Sequence, residues 1–266
     1  MNHKEIKQAF ETFYLANKID FDERRHEYKL DGVICAGISS ISEYRPKNWM
    51  PAWGANMAVG YIQKKILEAE TGTVLDNLSQ WIEEARKAYA RKSKDSLGIG
   101  SKVHDWLENH IKGTDLPITE DIKHPVEQFL KFEKKHKVKW ICVEKIVCSP
   151  EHLVAGRLDS LAFVDGKLSL IDFKTSSHID EGYFLQTAGY AMCLEDMGIP
   201  VEQRIILRLP KDGDDFEAVL VETDYELDKK AFLNLRYAWQ WANYIDSKFK
   251  ERPKGSKFKE LKLTKI

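Results

Sequence analysis

Hydrophobic residues recur at helical spacing through most of the first 136 residues. In residues 4–17, Ile6 and Phe10 lie four positions apart, which places them on one face of a helix. The same spacing predicts helices over residues 54–70 and 76–93, a helix that starts at Gly98 to Ser101 and ends near Gly113, and a helix over 123–136. Residues 26–34 break this pattern and predict a β-hairpin with an Asp-Gly pair at its turn.

From residue 138 onward the pattern changes to β-branched and alternating residues. Strands are predicted over 138–147, 153–164 and 167–173, and Asp165 and Gly166 predict a tight turn between the last two. A helix over 180–197, strands over 204–209 and 216–222, and a long helix over 225–249 follow. This order indicates an α/β (α+β) fold, with a mixed central sheet flanked by helices and a helical N-terminal region.

Length and composition narrow the class of protein. The 266 residues are 43% hydrophobic, enough to bury a substantial core. The apolar runs are shorter than the roughly 18 residues of a membrane span, and the first ten residues lack the apolar core of a secretory signal. We therefore expect a soluble cytoplasmic protein with no membrane contact. The four cysteines form no CxxC pair, which argues against a disulfide framework or a zinc knuckle.

The charge pattern points to local rather than global binding of polyanions. A net charge of −1 gives no general sign of a nucleic-acid binder. Residues 248–266, however, contain eight basic and two acidic residues, and we expect 251–266 to form a basic C-terminal tail. Two interpretations stay open for this segment, a solvated tail and contact with a nucleic-acid backbone.

Two carboxylates and an amine are predicted to converge at one end of the sheet. Side chains alternate along a strand, so Asp172 and Lys174 share a face while Phe173 turns into the core. The hairpin brings Asp159 beside them. Two carboxylates in one site repel each other unless a cation lies between them, and hard oxygen ligands suit Mg²⁺ or Mn²⁺. Such an ion activates water for phosphodiester hydrolysis, and Lys174 can orient that water or stabilise the developing charge.

These motifs resemble the RecB-like branch of the PD-(D/E)XK nuclease superfamily. Its members carry G-x-x-D, D-x-K-T and Q-x-x-x-Y in this order, and the chain has GRLD at 156–159, DFKT at 172–175 and QTAGY at 186–190. The upstream GSKVHDWLE at 100–108 is similar to an element of the His-containing members, which include phage exonucleases and the mitochondrial genome-maintenance exonuclease. The resemblance covers about residues 98–191 and implies a restriction-endonuclease-like sheet.

The resemblance also implies roles for individual residues. Four groups would bind the metal: His104, Asp159, Asp172 and the main-chain carbonyl of Phe173. Lys174 would assist the nucleophilic water, and Gln186 and Tyr190 would position the site or the scissile phosphate. Glu144, on the strand before Asp159, would hold a second ion or orient a water, although a glutamate on a half-exposed strand needs no special role.

Further residues are candidates for contact with nucleic acid. Ser101 and Lys102, at the expected start of a helix, suit a phosphate, and an ordinary helix cap is the alternative. Arg157 suits a phosphate or an ion pair with the nearby carboxylates, and Thr175 belongs to the same D-x-K-T motif. Three aromatic residues of the last helix would either pack in the core or stack on bases, and core packing is favoured: Trp239, Trp241 and Tyr244.

Cysteine usage separates the chain from some of these relatives. Members that hold an iron-sulfur cluster carry three cysteines after the Q-x-x-x-Y helix, whereas the last cysteine here is Cys193. We therefore expect no cluster. The expected organisation is a mainly helical region (1–95), a nuclease core (96–250) and the basic tail (251–266).

The expected function is a Mg²⁺- or Mn²⁺-dependent DNA exonuclease that accepts single strands or ends. The resemblance suggests a phage or bacterial setting, with recombination or replication proteins as partners. One alternative is a catalytically inactive nuclease fold that binds DNA. Another starts from His104 and Asp105, because HD-type nucleotide phosphohydrolases use such a pair together with further histidines. The nearby candidates for those ligands are His110, His124 and His136.

Overall fold

The computed structural model describes residues 1–48, 50–70, 73–114, 116–211, 213–221 and 224–250, with backbone alone at 75, 89, 91–96 and 250. The expected basic tail, 251–266, lies outside the described residues. The helices are α1 (His3–Ala16), α2 (Ile38–Ser42), α3 (Met50–Glu68), α4 (Val74–Arg86), α5 (Ala88–Ile111), α6 (Lys123–Lys135), α7 (Glu181–Asp196) and α8 (Tyr225–Lys250). The strands are β1 (Ile19–Asp22), β2 (Glu27–Leu30), β3 (Val33–Gly37), β4 (Val138–Ser149), β5 (Val154–Val164), β6 (Lys167–Lys174), β7 (Gln203–Arg208) and β8 (Glu217–Leu220).

The strands form one mixed sheet, and the predicted fold class is confirmed. The strand order is β1-β2-β3-β5-β6-β7-β8, with β4 paired to the other edge of β5. The β4-β5-β6 meander is antiparallel, and the β6-α7-β7 unit makes a parallel pair. Both predicted Asp-Gly turns are present: Asp31, Gly32, Asp165 and Gly166 all have positive φ, as a type I′ hairpin turn requires.

Helices cover both faces of the sheet, and each face buries a large core. On one face, Leu168 and Leu170 pack with residues of α1, α2, α7 and α8. On the other face, Ile171 and Phe173 pack with residues of α5 and α6. The alternation predicted for β6 is therefore correct. Asp172 shares the first face with Leu170, so its carboxylate lies at the border of an apolar core.

The long strand β5 pairs with β4 along one edge and with two different strands along the other edge. At its start, Val154 and Ala155 pair in parallel with β3, and at its end residues 160–164 pair antiparallel with β6. Among the residues that the structure describes, no residue of β3 or β6 pairs with residues 156–159 of β5. Asp159 lies in this gap between diverging strands, which opens a cleft at the middle of the sheet.

The N-terminal region differs from its prediction in two ways. It contributes β1, β2 and β3 to the main sheet, whereas the sequence predicted only the hairpin of residues 26–34 there; the expected domain division at residue 95 stays a prediction. The break between helices lies at Lys87, whereas the sequence predicted it just before Gly98. Gly98 and Gly100 lie within α5, because a glycine lowers helix stability without ending a helix that packing supports. None of the helices among the described residues is long and apolar enough to span a membrane.

Candidate active site

A cleft of about 1150 Å³ runs across the gap in the sheet. Its walls come from the β1–β2 hairpin, the start of α3, the middle of α5, the strands β4, β5 and β6, and helix α7. Most of the residues singled out from the sequence line it: Ser101, His104, Glu144, Arg157, Asp159, Phe173, Lys174, Thr175, Gln186 and Tyr190. Asp172 lies directly behind this lining and is 1% exposed.

Three side chains form a group that suits a metal ion. One ligand atom each from His104, Glu144 and Asp159 lies within 4.8 Å of the others. Nδ1 of His104 and Oδ1 of Asp159 are 3.9 Å apart, too far for a hydrogen bond. A Mg²⁺ ion with ligands at about 2.1 Å spans such a gap. The other oxygen of Asp159, Oδ2, accepts a hydrogen bond from the Phe173 N–H with 2.6 Å between N and O, which fixes the carboxylate.

Glu144 reaches this group through an unusual backbone conformation. Its neighbours Val143 and Lys145 pair with Ser160 and Leu158, so Glu144 lies opposite Asp159. Its φ of 50° is in the left-handed region, which a non-glycine residue seldom adopts within a strand. Burial, together with the charges of Asp159 and Glu108, raises the pKa of Glu144 to about 7. The site therefore concentrates negative charge that a cation would relieve.

Asp172 and Lys174 form a buried ion pair beside that group. Nζ of Lys174 lies 2.6 Å from Oδ2 of Asp172, and the Lys174 side chain is 16% exposed. Apart from this contact with Lys174, neither oxygen of Asp172 has a hydrogen-bond partner among the described residues. Burial and the charge of Asp159 raise the pKa of Asp172 to about 6, against the lowering effect of Lys174.

The amine of Lys174 stays protonated in this setting. Burial lowers the pKa of Lys174, but the carboxylates of Asp172 and Asp159 together raise it above its usual value. Its Nζ also lies 4.9 Å from the centre of the Tyr183 ring, a cation–π contact. Lys174 is therefore a fixed positive charge and hydrogen-bond donor at the floor of the cleft, rather than a base.

Helix α7 supplies one polar wall. Gln186 Nε2 donates a hydrogen bond to the Tyr190 hydroxyl at 3.2 Å. Burial, followed by the charges of Asp159 and Asp172, raises the pKa of Tyr190 well above its usual value. Gly156 permits this packing, because a Cβ there would lie 2.9 Å from the Tyr190 ring. Tyr183 was not identified from the sequence, although its spacing of three and seven residues from Gln186 and Tyr190 places it on the same helical face.

Only some of the residues expected to contact nucleic acid line the cleft. Arg157 lines the cleft with Nε 4.0 Å from Glu144 Oε2 and its guanidinium over the Phe21 ring. Lys102 instead pairs with Asp121 at 2.6 Å and does not line the cleft. Ser101 and Lys102 lie in the interior of α5, so the expectation of a helix start there was wrong and their backbone amides belong to the helix.

Other cleft residues were missed because only the fold places them there. Arg208 is 8% exposed and has Nε 2.9 Å from Glu217. His26 and Trp53 also line the cleft. In the sequence, Arg208 stands 18 positions after Tyr190, and its spacing does not separate it from surface or core residues. His26 and Trp53 stand more than 40 positions before the motif that begins at Gly98.

The geometry contradicts the HD-type alternative. The three histidines considered as further metal ligands contact other groups instead. His110 lies 3.0 Å from Glu133, His124 lies 2.8 Å from the carbonyl of Asp214, and His136 lies 2.8 Å from Asp165. None of them belongs to the candidate metal-binding group found among the described residues. The mixed sheet also differs from the all-helical architecture which that class requires.

Comparisons with known proteins give likeness of shape alone. No family model and no curated protein matches the chain. Among solved structures it is similar to an alkaline exonuclease from Laribacter hongkongensis, with 10% identity over 81% of this chain and 94% of that one and a TM-score of 0.35. The same exonuclease in complex with dAMP gives 11% identity, the same coverage and a TM-score of 0.32. The protein SSO0001 gives 14% identity over 68% of this chain and 82% of that one, with a TM-score of 0.31. Likeness at this level assigns no function, which must come from the side chains of the cleft.

Proposed function

We propose that the chain is a metal-dependent nuclease that hydrolyses the phosphodiester bonds of DNA, as an exonuclease acting on single strands or strand ends. The observation that carries this proposal is the meeting of His104, Glu144 and Asp159 beside the buried pair Asp172–Lys174 in one open cleft. The exonuclease mode rests on the resemblance of the upstream GSKVHDWLE element to the His-containing nucleases.

The donor set fits Mg²⁺ or Mn²⁺. It consists of one imidazole nitrogen and two carboxylates, with the Asp172 carboxylate behind them and short of hydrogen-bond partners. Oxygen-rich ligand sets with one histidine suit these hard or borderline cations. A phosphate placed beside Glu144 and Asp159 without a cation would be repelled, so the same carboxylates that bind the metal make it necessary. When bound, the ion would lower the pKa of a coordinated water and polarise a phosphoryl oxygen.

The residues around the group have separate tasks. Asp159 has one oxygen fixed by the Phe173 N–H and the other directed at His104, so it is oriented before substrate arrives. Lys174, kept protonated by two carboxylates, donates to the attacking water or to a non-bridging phosphate oxygen as negative charge develops. Asp172 positions Lys174, and the Gln186–Tyr190 pair offers polar groups to the substrate.

The test is digestion of end-labelled single- and double-stranded DNA with Mg²⁺ or Mn²⁺. We expect Asp159→Asn and Lys174→Ala each to lower the rate by about 100-fold or more, because each removes a group that acts on developing charge. Lys167→Ala is the matched control: it lies on the same strand β6, is exposed at the hairpin end and should leave the rate unchanged. Wild-type rates in both site variants would refute the assignment.

The digestion products separate the remaining possibilities. An exonuclease releases mononucleotides or short products from one end and leaves circular single strands intact, whereas an endonuclease cuts the circle. Cleavage of RNA at an equal rate would contradict the preference for DNA. Tight DNA binding without cleavage in any divalent metal would identify an inactive binding module.

A further inference from the structure

The last helix presents a row of aromatic and basic side chains to solvent. The α8 stripe consists of Lys230, Asn234, Tyr237, Trp241, Tyr244 and Lys248, which follow one another at intervals of three or four residues and so share one face. Tyr237, Trp241 and Tyr244 are 58%, 65% and 58% exposed. The expectation that Trp241 and Tyr244 pack in the core was wrong, and of the three aromatics considered from the sequence only Trp239 packs against it.

We propose that the α8 stripe binds single-stranded nucleic acid, at a site separate from the cleft. Exposed aromatic rings in series with basic residues form a stacking platform for unpaired bases, because every base has a π-face and the cations meet the phosphates. Along the helix axis the three rings follow each other at about 6 Å and about 4.5 Å. Both intervals exceed the rise of about 3.4 Å per base in a duplex, so they suit separated bases.

The charges of the stripe favour a polyanion over a protein surface. Arg236 lies over the Tyr237 ring at 5.2 Å and Lys248 over the Tyr244 ring at 5.8 Å, so cations flank both tyrosines. None of the six stripe residues is acidic, although the exposed Glu226 stands four positions before Lys230 on the same face. Asp246 lines a groove on the opposite face of α8 with Glu43. The sequence that follows, residues 251–266, adds six basic and two acidic residues.

A second copy of the chain fits the stripe poorly. Lysine stands at each end, so antiparallel pairing of two stripes would bring Lys230 against Lys248, and parallel pairing would bring each lysine against itself. Like charges placed opposite each other disfavour association. The phosphates of a nucleic-acid strand would instead neutralise the charges of both lysines.

The test measures binding of a fluorescent oligo(dT) by anisotropy in EDTA, so that neither metal nor hydrolysis is involved. Replacing Tyr237, Trp241 and Tyr244 together by alanine should weaken binding by about 5-fold to 100-fold for each ring that stacks. Trp241→Phe should retain most of the affinity, because phenylalanine also stacks. Asn243→Ala is the matched control, since Asn243 is exposed on the same helix and lines the groove on the face opposite the stripe.

Salt dependence and cross-linking locate the contact. Lys230→Ala and Lys248→Ala should each reduce the slope of log affinity against log salt concentration by about 0.7. Photo-cross-linking to an oligonucleotide with 5-iodouracil should label the tryptic peptide 237–248, also in the Lys174→Ala protein, which separates the stripe from the cleft. Unchanged affinity in the triple variant, or cross-links confined to cleft peptides, would overturn the proposal. A loss of self-association in the triple variant, with oligo(dT) affinity unchanged, would assign the stripe to a second copy. The result is independent of whether the cleft cleaves DNA.

Discussion

At the scale of the residue, the site depends on side chains held at distances that an ion can bridge. His104 is placed by three features: the fifth turn of α5, an edge-on contact of its ring with Phe173 at 6.2 Å, and the absence of a Cβ at Gly100. A Cβ at position 100 would lie 3.2 Å from Thr175 Oγ1, so glycine lets α5 approach the end of β6. The position of His104 therefore depends on the packing of neighbouring residues as well as on the motif that contains it.

Removal of the imidazole should weaken metal binding more than it weakens the fold. We expect His104→Ala to lower the affinity for Mn²⁺ by about tenfold or more, as loss of a metal-positioning group commonly does. Titration calorimetry of the purified protein measures this. His110→Ala is the control, because His110 lies on the same helix but pairs with Glu133, and its Mn²⁺ affinity should equal that of the wild type. Equal affinity in the two variants would remove His104 from the ligand set.

Strand alternation and motif spacing were enough to predict how three residues of the candidate site lie relative to one another. They placed Asp172 and Lys174 on one face and brought Asp159 beside them across a tight turn, as the structure has them. They did not predict that Asp172 is buried behind the cleft or that Tyr183 lies over Lys174. Those facts depend on how β3 and β6 diverge along β5 and on the packing of α7, which no local pattern encodes.

At the scale of the element, the sequence predicted strands better than helix junctions. Asp-Gly pairs marked two hairpins because their positive φ values exclude most other residues. Strand β1 was missed, since its four residues include two exposed aspartates. The junction at Lys87 was missed because Lys87 is itself in the right-handed α region and no glycine or proline marks the change of direction. Two glycines within α5 were mistaken for its start.

The continuity of α5 gives a stability prediction. Gly98→Ala should stabilise the protein by about 0.5–1 kcal/mol, because alanine is the better helix former and a Cβ at 98 meets nothing within 4 Å. Gly100→Ala should gain less or lose stability, since its Cβ would press on Thr175. Urea unfolding measures both, with an unchanged m-value as the sign of an unchanged fold. Destabilisation by Gly98→Ala would indicate that a helix begins at this position after all.

At the scale of the whole molecule, the candidate metal group links helix α5 to the strands that it packs against. His104 belongs to α5, Glu144 to β4 and Asp159 to β5, while Asp172 and Lys174 belong to β6. Four carboxylates, Glu108, Glu144, Asp159 and Asp172, influence each other's charge across this junction. In the metal-free protein the repulsion between these carboxylates destabilises the folded state. An ion bound among them should therefore stabilise the entire fold.

Thermal unfolding with and without Mn²⁺ tests this coupling. An ion that binds the folded chain alone stabilises it by about 2.7 kcal/mol when its concentration is 100 times the Kd. For a chain of this size each kcal/mol raises Tm by roughly 2–4 °C, so a rise of about 5–10 °C is expected. The rise should disappear in Asp159→Asn, which lacks one ligand charge, and persist in Glu151→Gln, an exposed carboxylate outside the cleft. A Tm that stays the same in millimolar Mn²⁺ would mean that these carboxylates tolerate one another without a cation, and the metal-dependent mechanism would fail with it.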